Sequence, residues 1–268
     1  MKERAVVKVL LAGESWVSAT IDHKGYDPFA HTQVEIGCAR LLEALTAEGI
    51  DVTHLRSHDV AEFFPQTIAE LSAYDVVLLS DVGSNTLLLH PDTFHGGRPT
   101  PNRLKLLREW VHGGGGLMMA GGYLSFQGFE GKASYHRTAV EEILPVDIES
   151  TDDRVETPEG ITPERTDAAH PCVKGLPQRW PILLGYQRTT LKPDSRLLAT
   201  IEGEVLLATR RVGAGRTVAF TSDISPHWAP EEFMAWDGYG RLFAQCLRWL
   251  AADTTALVGG RHGNTENE

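Results

Sequence analysis

Apolar runs and helical repeats alternate along the first half of the chain. The apolar runs, typical of strands covered on both faces, lie at residues 6–11, 52–55, 74–80 and 117–120. The segments with apolar residues at helical spacing lie at residues 34–45, 65–71 and 100–111. This alternation predicts a doubly wound, mostly parallel α/β sheet.

The second half of the chain has a less regular pattern. Short strands are predicted at residues 197–201, 205–209 and 216–222, and the turns between them indicate antiparallel hairpins added to the sheet. Residues 149–180 are rich in Pro, Asp, Glu and Thr, which predicts a long surface excursion. Helices are expected at residues 138–144 and 239–250. We interpret residues 1–252 as one domain and residues 253–268 as a disordered tail.

Composition narrows the functional classes. The 268 residues have a formal net charge of −11 and 42% hydrophobic content. An acidic chain without a Lys/Arg cluster argues against nucleic acid or an anionic membrane as partner. No apolar run reaches the ~18 residues of a membrane span, and the N-terminus lacks the apolar core of a signal peptide. The three cysteines have no metal-type spacing, and a reduced cytoplasm fits all of these features.

A glycine-rich segment at residues 113–127 has the most specific local pattern. Its apolar run leads into Gly121-Gly122 and then into Tyr123. This order predicts a buried strand that ends in a sharp turn and exposes one side chain. Enzymes with such a turn carry Ser or Cys at the exposed position, whereas this chain carries tyrosine.

Polar and aromatic residues follow four of the predicted strands. In open α/β sheets ligands bind outside the carboxyl ends of the strands, so we expect these residues to share one rim. They are Glu14, Trp16, His23, Asp27 and His31 after the first strand, Asp81 and Asn85 after the third, Tyr123, Ser125 and Gln127 after the fourth, and Asp223, His227 and Trp228 after the strand at 216–222. We expect a small-molecule ligand there.

Each candidate also has a purely structural interpretation. Asp81 and Asn85 could cap a turn, and Tyr123 could be a packed aromatic residue. His227 could lie in a surface turn, and His23 in a solvated loop. No cofactor is required by the pattern, although a divalent metal held by His23, with Asp27 or His31, and by Asp81 is a weaker alternative.

The glycine turn resembles the elbow of the class I glutamine amidotransferase superfamily. That elbow contains Gly-x-Cys-x-Gly-x-Gln, and here Gly121, Tyr123, Ser125 and Gln127 take the four defined positions. The superfamily's His-x-Glu pair corresponds to residues 221–227, where the pattern is absent as such. A phenol with a pKa near ~10 is mostly protonated at neutral pH and is a poor nucleophile, which argues against glutaminase activity.

A closer resemblance is to a subfamily of glutamine amidotransferase-like cytoplasmic proteins, related to the trehalose-utilisation type. Residues 5–250 carry it, in the segments 23–29, 79–89, 121–128, 170–177 and 220–228. The resemblance implies a flavodoxin-like, class I amidotransferase-like fold. By weaker analogy it implies sugar-derived ligands.

Three functional hypotheses follow. In the first, the protein is an enzyme for a polar, hydroxylated small molecule. Tyr123 is a general acid/base or oxyanion donor, His227 shuttles a proton and Asp223 orients it. The ligand-binding residues are then Glu14, Trp16, His23, Asp27, Asp81, Asn85, Ser125, Gln127 and Trp228, with Trp16 or Trp228 stacking on a ring.

The second hypothesis is a non-catalytic ligand-binding or regulatory protein that keeps the fold without the nucleophile. The third is glutamine hydrolysis by a displaced nucleophile, Ser125 or Cys172. In each case the chain could self-associate as a homo-oligomer, because its loops are rich in tryptophan.

Overall fold

The computed structural model describes residues 6–251, so the predicted tail at 253–268 lies outside the described residues. Within them, one central sheet has eight strands. Their order is β4 (Ile50–Leu55), β1 (Val7–Gly13), β5 (Val76–Ser80), β6 (Gly116–Ala120), β14 (Gly215–Phe220), β13 (Glu204–Val212), β12 (Arg196–Ile201) and β9 (Glu164–Arg165). The five strands from β4 to β14 are parallel. Beyond β14 the pairing is antiparallel.

The parallel strands follow the flavodoxin-like order, because the second strand lies outside the first and the remaining three follow on its other side. The order therefore reverses between β1 and β5. The predicted α/β class and the added antiparallel strands are both confirmed.

Helices cover both faces of the sheet. One face packs against α1 (Ala39–Ala47) and α9 (Gly238–Ala251). The other packs against α2 (Ser57–Phe63), α3 (Ile68–Leu71), α4 (Ser84–Leu88), α6 (Arg103–His112) and α7 (Ala139–Ile143). Successive strand residues alternate between the two cores, as Leu78 and Leu79 do. The short helices α5 (Pro91–Phe94) and α8 (Glu231–Met234) lie in connections.

Three two-stranded sheets complete the fold. They are β2 (Ser15–Lys24) with β3 (Asp27–Ile36), β7 (Val146–Ile148) with β11 (Thr189–Leu191), and β8 (Arg154–Ile161) with β10 (Leu183–Gln187). The predicted surface excursion at 149–180 is wrong in part, because it contains β8 and β9. Its apolar residues Cys172, Leu176 and Trp180 are buried in the core on the α9 face.

The helix boundaries differ from the sequence prediction in three places. The helix predicted from residue 34 begins at Ala39, because Val34 belongs to β3. Only Ile68–Leu71 of the segment at 65–71 is helical, starting from a capping box between Thr67 and Glu70. Helix α6 is capped by Asn102, two residues after the predicted cap. In residues 6–251 no helix is both long and apolar enough to cross a membrane.

Candidate functional site

Residues after four adjacent parallel strands meet at one edge of the sheet. They line a depression of about 230 Å³ formed by Trp16, Asp81, Tyr123, Asp223, Ser225, Pro226 and His227. Trp16, the second residue of β2, follows β1, and Asp81 follows β5; β1 and β5 flank the reversal of strand order. The depression therefore lies where open α/β sheets bind their ligands.

Glycine is required at both positions of the turn after β6. A Cβ at Gly121 would lie 2.5 Å from Gln187 Oε1 and 2.7 Å from the Thr221 carbonyl oxygen. Gly122 has φ +138°, a conformation that residues with a side chain rarely adopt.

The turn differs from the predicted nucleophile elbow in three respects. Tyr123 does not have a positive φ, and both Tyr123 and Leu124 are exposed rather than one side chain. The next helical segment is a single 3₁₀ turn at Phe129–Gly131, so no α-helix follows the strand directly. The strand–turn–helix context of a strained nucleophile is therefore absent at residues 120–131.

Contacts on several sides fix the ring of Tyr123. Its hydroxyl donates a hydrogen bond to Glu156 Oε1 at 3.2 Å. The Arg154 guanidinium lies 4.6 Å from the ring centroid, and the Phe129 ring stacks at 5.6 Å. Partial burial and the Glu156 carboxylate raise the pKa of the phenol. Tyr123 therefore remains protonated at neutral pH and can act as a hydrogen-bond donor or acid.

An aspartate orients the imidazole of His227. Nδ1 of His227 lies 3.3 Å from Asp223 Oδ2, and the backbone N–H and hydroxyl of Ser225 donate to the other oxygen of Asp223. The imidazole meets the Tyr123 ring edge-to-face, with ring centroids 4.1 Å apart. The structure thus brings together Tyr123, Asp223 and His227, the three residues predicted as catalytic.

Two further carboxyl groups lie beside Asp223. Glu14 is buried after β1 and accepts a hydrogen bond from the Ser80 hydroxyl. Burial raises the pKa of Glu14 well above its usual range, and the charges of Asp223 and Asp81 raise it further. Burial, reinforced by Asp223, also raises the pKa of Asp81 to about 6. At neutral pH the three carboxyls therefore share fewer than three negative charges.

The Asp81 carboxyl group also accepts a hydrogen bond from the backbone amide of the residue after Tyr123. The Leu124 N–H donates to Asp81 Oδ1 at 2.7 Å. In acyl-transfer enzymes with an elbow, the amide after the nucleophile helps to bind the oxyanion. Here a carboxyl group fills that position, and an anionic intermediate would have to displace it.

Three predicted ligand-binding residues have scaffold contacts instead. The buried Ser125 hydroxyl accepts a hydrogen bond from the Asp81 N–H at 3.0 Å. Gln127 bonds to the Ser150 carbonyl oxygen and the His136 N–H. Trp228 is buried, and its Nε1 donates to Glu156 Oε2 at 2.9 Å. Trp228 therefore cannot stack on a ligand, and Trp16 alone of the two tryptophans lines the depression.

The remaining predicted residues lie away from the depression. Asn85 is exposed in the first turn of α4. His23 and Asp27 lie at the tip of the β2–β3 hairpin, about 25 Å along the strand from Trp16 at ~3.3 Å per residue. His31 pairs with Asp22 of the same hairpin at 3.3 Å.

The geometry gives no support to the metal alternative. Its residues are separated because a pair of extended strands carries His23, Asp27 and His31 outward from Asp81. Throughout the part of the chain described, no group of three or more His, Cys, Asp or Glu side chains is arranged to hold a metal ion.

The displaced nucleophiles of the third hypothesis are both buried. Ser125 is 2% exposed and Cys172 is fully buried. Burial raises the pKa of the Cys172 thiol well above its usual range. Neither side chain can reach a substrate in the depression from this position.

Sequence reasoning missed Arg154 and Glu156. Both lie on β8, inside the segment that was expected to be a surface excursion. They reach the site because β8 passes beside the turn after β6, a contact with no local sequence signal.

Comparisons with known proteins agree with this fold. Residues 8–252 match the GATase1-like family, described as "Putative glutamine amidotransferase". A cytoplasmic protein from Salmonella typhimurium is 43% identical, with a TM-score of 0.88 over 91% of this chain and 99% of that chain. A second, from Salmonella typhimurium LT2, is 40% identical, with a TM-score of 0.86 and the same coverage of 91% and 99%.

A ThuA-like protein from Parabacteroides merdae shares the fold at 15% identity, with a TM-score of 0.56 over 98% of this chain and 94% of that chain. No curated protein is similar enough to this chain to count as a match. The match over almost all described residues, together with the sheet order and the glycine turn, shows that the chain belongs to the GATase1-like family of glutamine amidotransferase-like proteins.

Proposed function

We propose that the depression binds a small, uncharged, hydroxylated molecule and transfers a proton to or from it. The observation that carries this proposal is the Asp223–His227 pair in contact with the ring of Tyr123. An imidazole held by a carboxylate through Nδ1 presents Nε2 as a base, as in hydrolase triads. Nε2 of His227 has no hydrogen-bond partner among residues 6–251.

The charges around the depression favour a neutral ligand. Glu14, Asp81 and Asp223 lie together, and burial already disfavours their full ionisation. An anionic ligand such as a sugar phosphate would add charge of the same sign. Asp81, with a pKa raised to about 6, can donate or accept a proton near neutral pH.

The size and lining of the depression favour a ligand of about one sugar unit. Its volume of about 230 Å³ is below the ~300–1,000 Å³ usual for drug-sized ligands. Trp16 is 39% exposed, so its ring face can pack on the apolar face of a sugar. The resemblance to trehalose-utilisation-type proteins agrees with a sugar-derived ligand.

A two-step experiment tests the proposal. Thermal shift would be measured with neutral monosaccharides and alditols. Sugar phosphates, which are anionic, and glutamine, which carries one positive and one negative charge, would be the charged counterparts. Ligands that bind would then be followed by proton NMR for conversion in D₂O. We expect neutral compounds to raise the Tm and His227→Gln to slow conversion by ~100-fold or more while binding is kept. His58→Gln on the surface of α2 is the matched control.

Other outcomes would decide against proton transfer. Binding of a neutral compound without conversion by the unmodified protein would favour the non-catalytic alternative. Stabilisation by charged compounds alone would contradict the proposed ligand class. The two Salmonella relatives are named cytoplasmic proteins, and we propose the same compartment, where the three buried, free cysteines would stay reduced.

A further inference from the structure

The β2–β3 hairpin extends from the fold as a separate two-stranded arm. Its register is continuous, from Ser15 opposite Ile36 to Lys24 opposite Asp27. It joins no other sheet, and the outer edge of each strand has no strand partner within residues 6–251. Isolated two-stranded hairpins are at best marginally stable in water, so an arm of this length needs a surface to pack against.

The two faces of the arm differ in composition. Opposed residues of an antiparallel pair lie on the same face, so the register assigns every side chain. One face is mostly polar and includes Ser18, Thr20, His31, Gln33 and Glu35, together with two aromatic residues, Trp16 and Phe29. The other face is apolar along most of its length: it carries Val17, Ala19, Ile21, Ala30, Thr32, Val34 and Ile36, with Ser15 at one end and His23 and Pro28 at the other.

The apolar face is open to solvent in the single chain. Val17 is 54% exposed, Ile21 65% and Val34 51%. Seven of the fourteen large apolar side chains that are exposed among the described residues lie between Ser15 and Ile36, and four of the seven, Val17, Ile21, Val34 and Ile36, are on this face. Contiguous exposed apolar surface of this kind marks an interaction site.

We propose that this apolar face packs against a second copy of the same chain, with the two arms exchanged about a two-fold axis. The area of the face favours this occupant. Ten residue pairs at ~3.3 Å per residue and two strands ~4.8 Å apart give a face of about 320 Å². One such contact buries about 650 Å² in total, well below the ~1,200 Å² of a stable interface.

A two-fold axis repeats the contact, because each arm then packs on the other copy. The total rises to about 1,300 Å², within the range of stable interfaces. A foreign partner would receive one arm only. The chain also exposes Phe63 (63%) and Phe94 (66%), apolar side chains on the body that can receive the partner's arm.

The base of the arm, at Ser15, is hydrogen-bonded to α2, the helix that carries the exposed Phe63. The Ser57 N–H at the start of α2 donates to the Ser15 hydroxyl at 2.8 Å, and Phe63 ends the same helix. This proposal does not depend on the ligand or chemistry of the depression.

Sedimentation equilibrium of the full chain tests the proposed dimer with exchanged arms. We expect the unmodified protein to dimerise at micromolar concentration, and Ile21→Lys or Val34→Lys to weaken dimerisation at least about tenfold. The matched controls, Thr20→Lys and Gln33→Lys, place the same charge on the opposite face of the same strands and should dimerise normally. Because all four side chains are partly or fully exposed, circular dichroism and Tm should report a folded chain in every variant.

Three results would overturn the proposal. The first is an unmodified protein that stays monomeric at roughly 100 µM. The second is equal dimerisation of Ile21→Lys and Thr20→Lys. The third is a monomer that sediments with phosphatidylcholine vesicles unless Ile21 is replaced by Lys, because that would identify a lipid surface as the occupant.

Discussion

Asp81 combines a strained backbone with an unfavourable site for a charge. Its φ is 47°, in the left-handed region, and its carboxyl group accepts the Leu124 N–H. Burial and the neighbouring Asp223 raise the pKa of Asp81 to about 6 from an ordinary value of 3.8. Residues held in this way at the cost of stability are typical of functional sites.

We expect Asp81→Asn to stabilise the protein at pH 8 by up to about 3 kcal/mol, at ~1.4 kcal/mol per pKa unit. The pKa of Asp81 in the folded state lies above its unfolded value, so ionisation of Asp81 destabilises the fold. This loss of stability is absent below about pH 3.8, grows between about pH 3.8 and pH 6, and is constant at higher pH. Asn can still accept the Leu124 N–H through Oδ1. Urea denaturation at pH 5 and pH 8 measures the effect, which should fall to roughly half at pH 5.

The exposed Asp51 on β4 gives the control, since Asp51→Asn should change stability by no more than about 0.5 kcal/mol at either pH. A variant Asp81→Asn that is less stable than the unmodified protein at pH 8 would show that the carboxylate itself stabilises the turn.

Among the elements, the short helices α2 and α4 depend on one buried cation. Arg103 is 1% exposed, and its guanidinium donates to carbonyl oxygens near the carboxyl ends of both helices. The acceptors are Val60, Ala61, Phe64, Thr86 and Leu87. Burial lowers the pKa of Arg103 to about 10, so it remains charged at neutral pH. A cation there satisfies carbonyls that helix ends leave free.

Replacing Arg103 by Met should therefore destabilise the fold by at least about 3 kcal/mol, because several buried carbonyls lose their donor at ~1–3 kcal/mol each. Guanidinium denaturation at pH 7 measures the loss. Arg103→Lys should recover part of it, since lysine keeps the charge and has three donors.

Arg98→Met is the comparison for a solvent-exposed arginine, with an expected change within about 0.5 kcal/mol. If Arg103→Met and Arg98→Met lowered the free energy of unfolding equally, the contacts of Arg103 would have no special role in holding α2 against α4.

The sequence predicted the parallel strands better than the arm. Strands such as β5 are continuous apolar runs, a signal that depends only on local burial. The arm had a signal as well, since Val17, Ala19 and Ile21 alternate with polar residues and a two-residue turn at Gly25 follows. The side chains of His23 and Asp27 near its end favour a different interpretation, as residues of a binding site.

For the molecule as a whole, strand order determines which residues meet. Tyr123, Asp223 and His227 could be predicted as neighbours because adjacent parallel strands end at one edge. The roles of Glu156 and Trp228 could not, because they depend on how β8 packs across the turn after β6. Burial of Cys172 likewise follows from packing against α9, which no local pattern shows.

Because the residue at the cysteine position, the amide after it and the backbone of the turn all differ from those of a nucleophile elbow, we expect that the fold alone does not supply amidotransferase chemistry. Placing the elbow nucleophile back into this turn tests that statement, because Tyr123→Cys restores the residue type alone. We expect no ammonia release from glutamine above background. The Leu124 amide remains bonded to Asp81, residue 123 keeps an ordinary φ, and no α-helix follows in residues 120–131.

The double variant Tyr123→Cys with Asp81→Ala removes the carboxyl group from the Leu124 amide. It therefore separates the effect of the occupied amide from the effect of the turn's backbone. If the occupied amide is the only obstacle, the double variant should release ammonia and the single variant should not. If the backbone of the turn is the obstacle, neither should. Ammonia release by Tyr123→Cys alone, absent from Tyr123→Ser, would show that the turn is already competent for thiol chemistry and that only the nucleophile is missing.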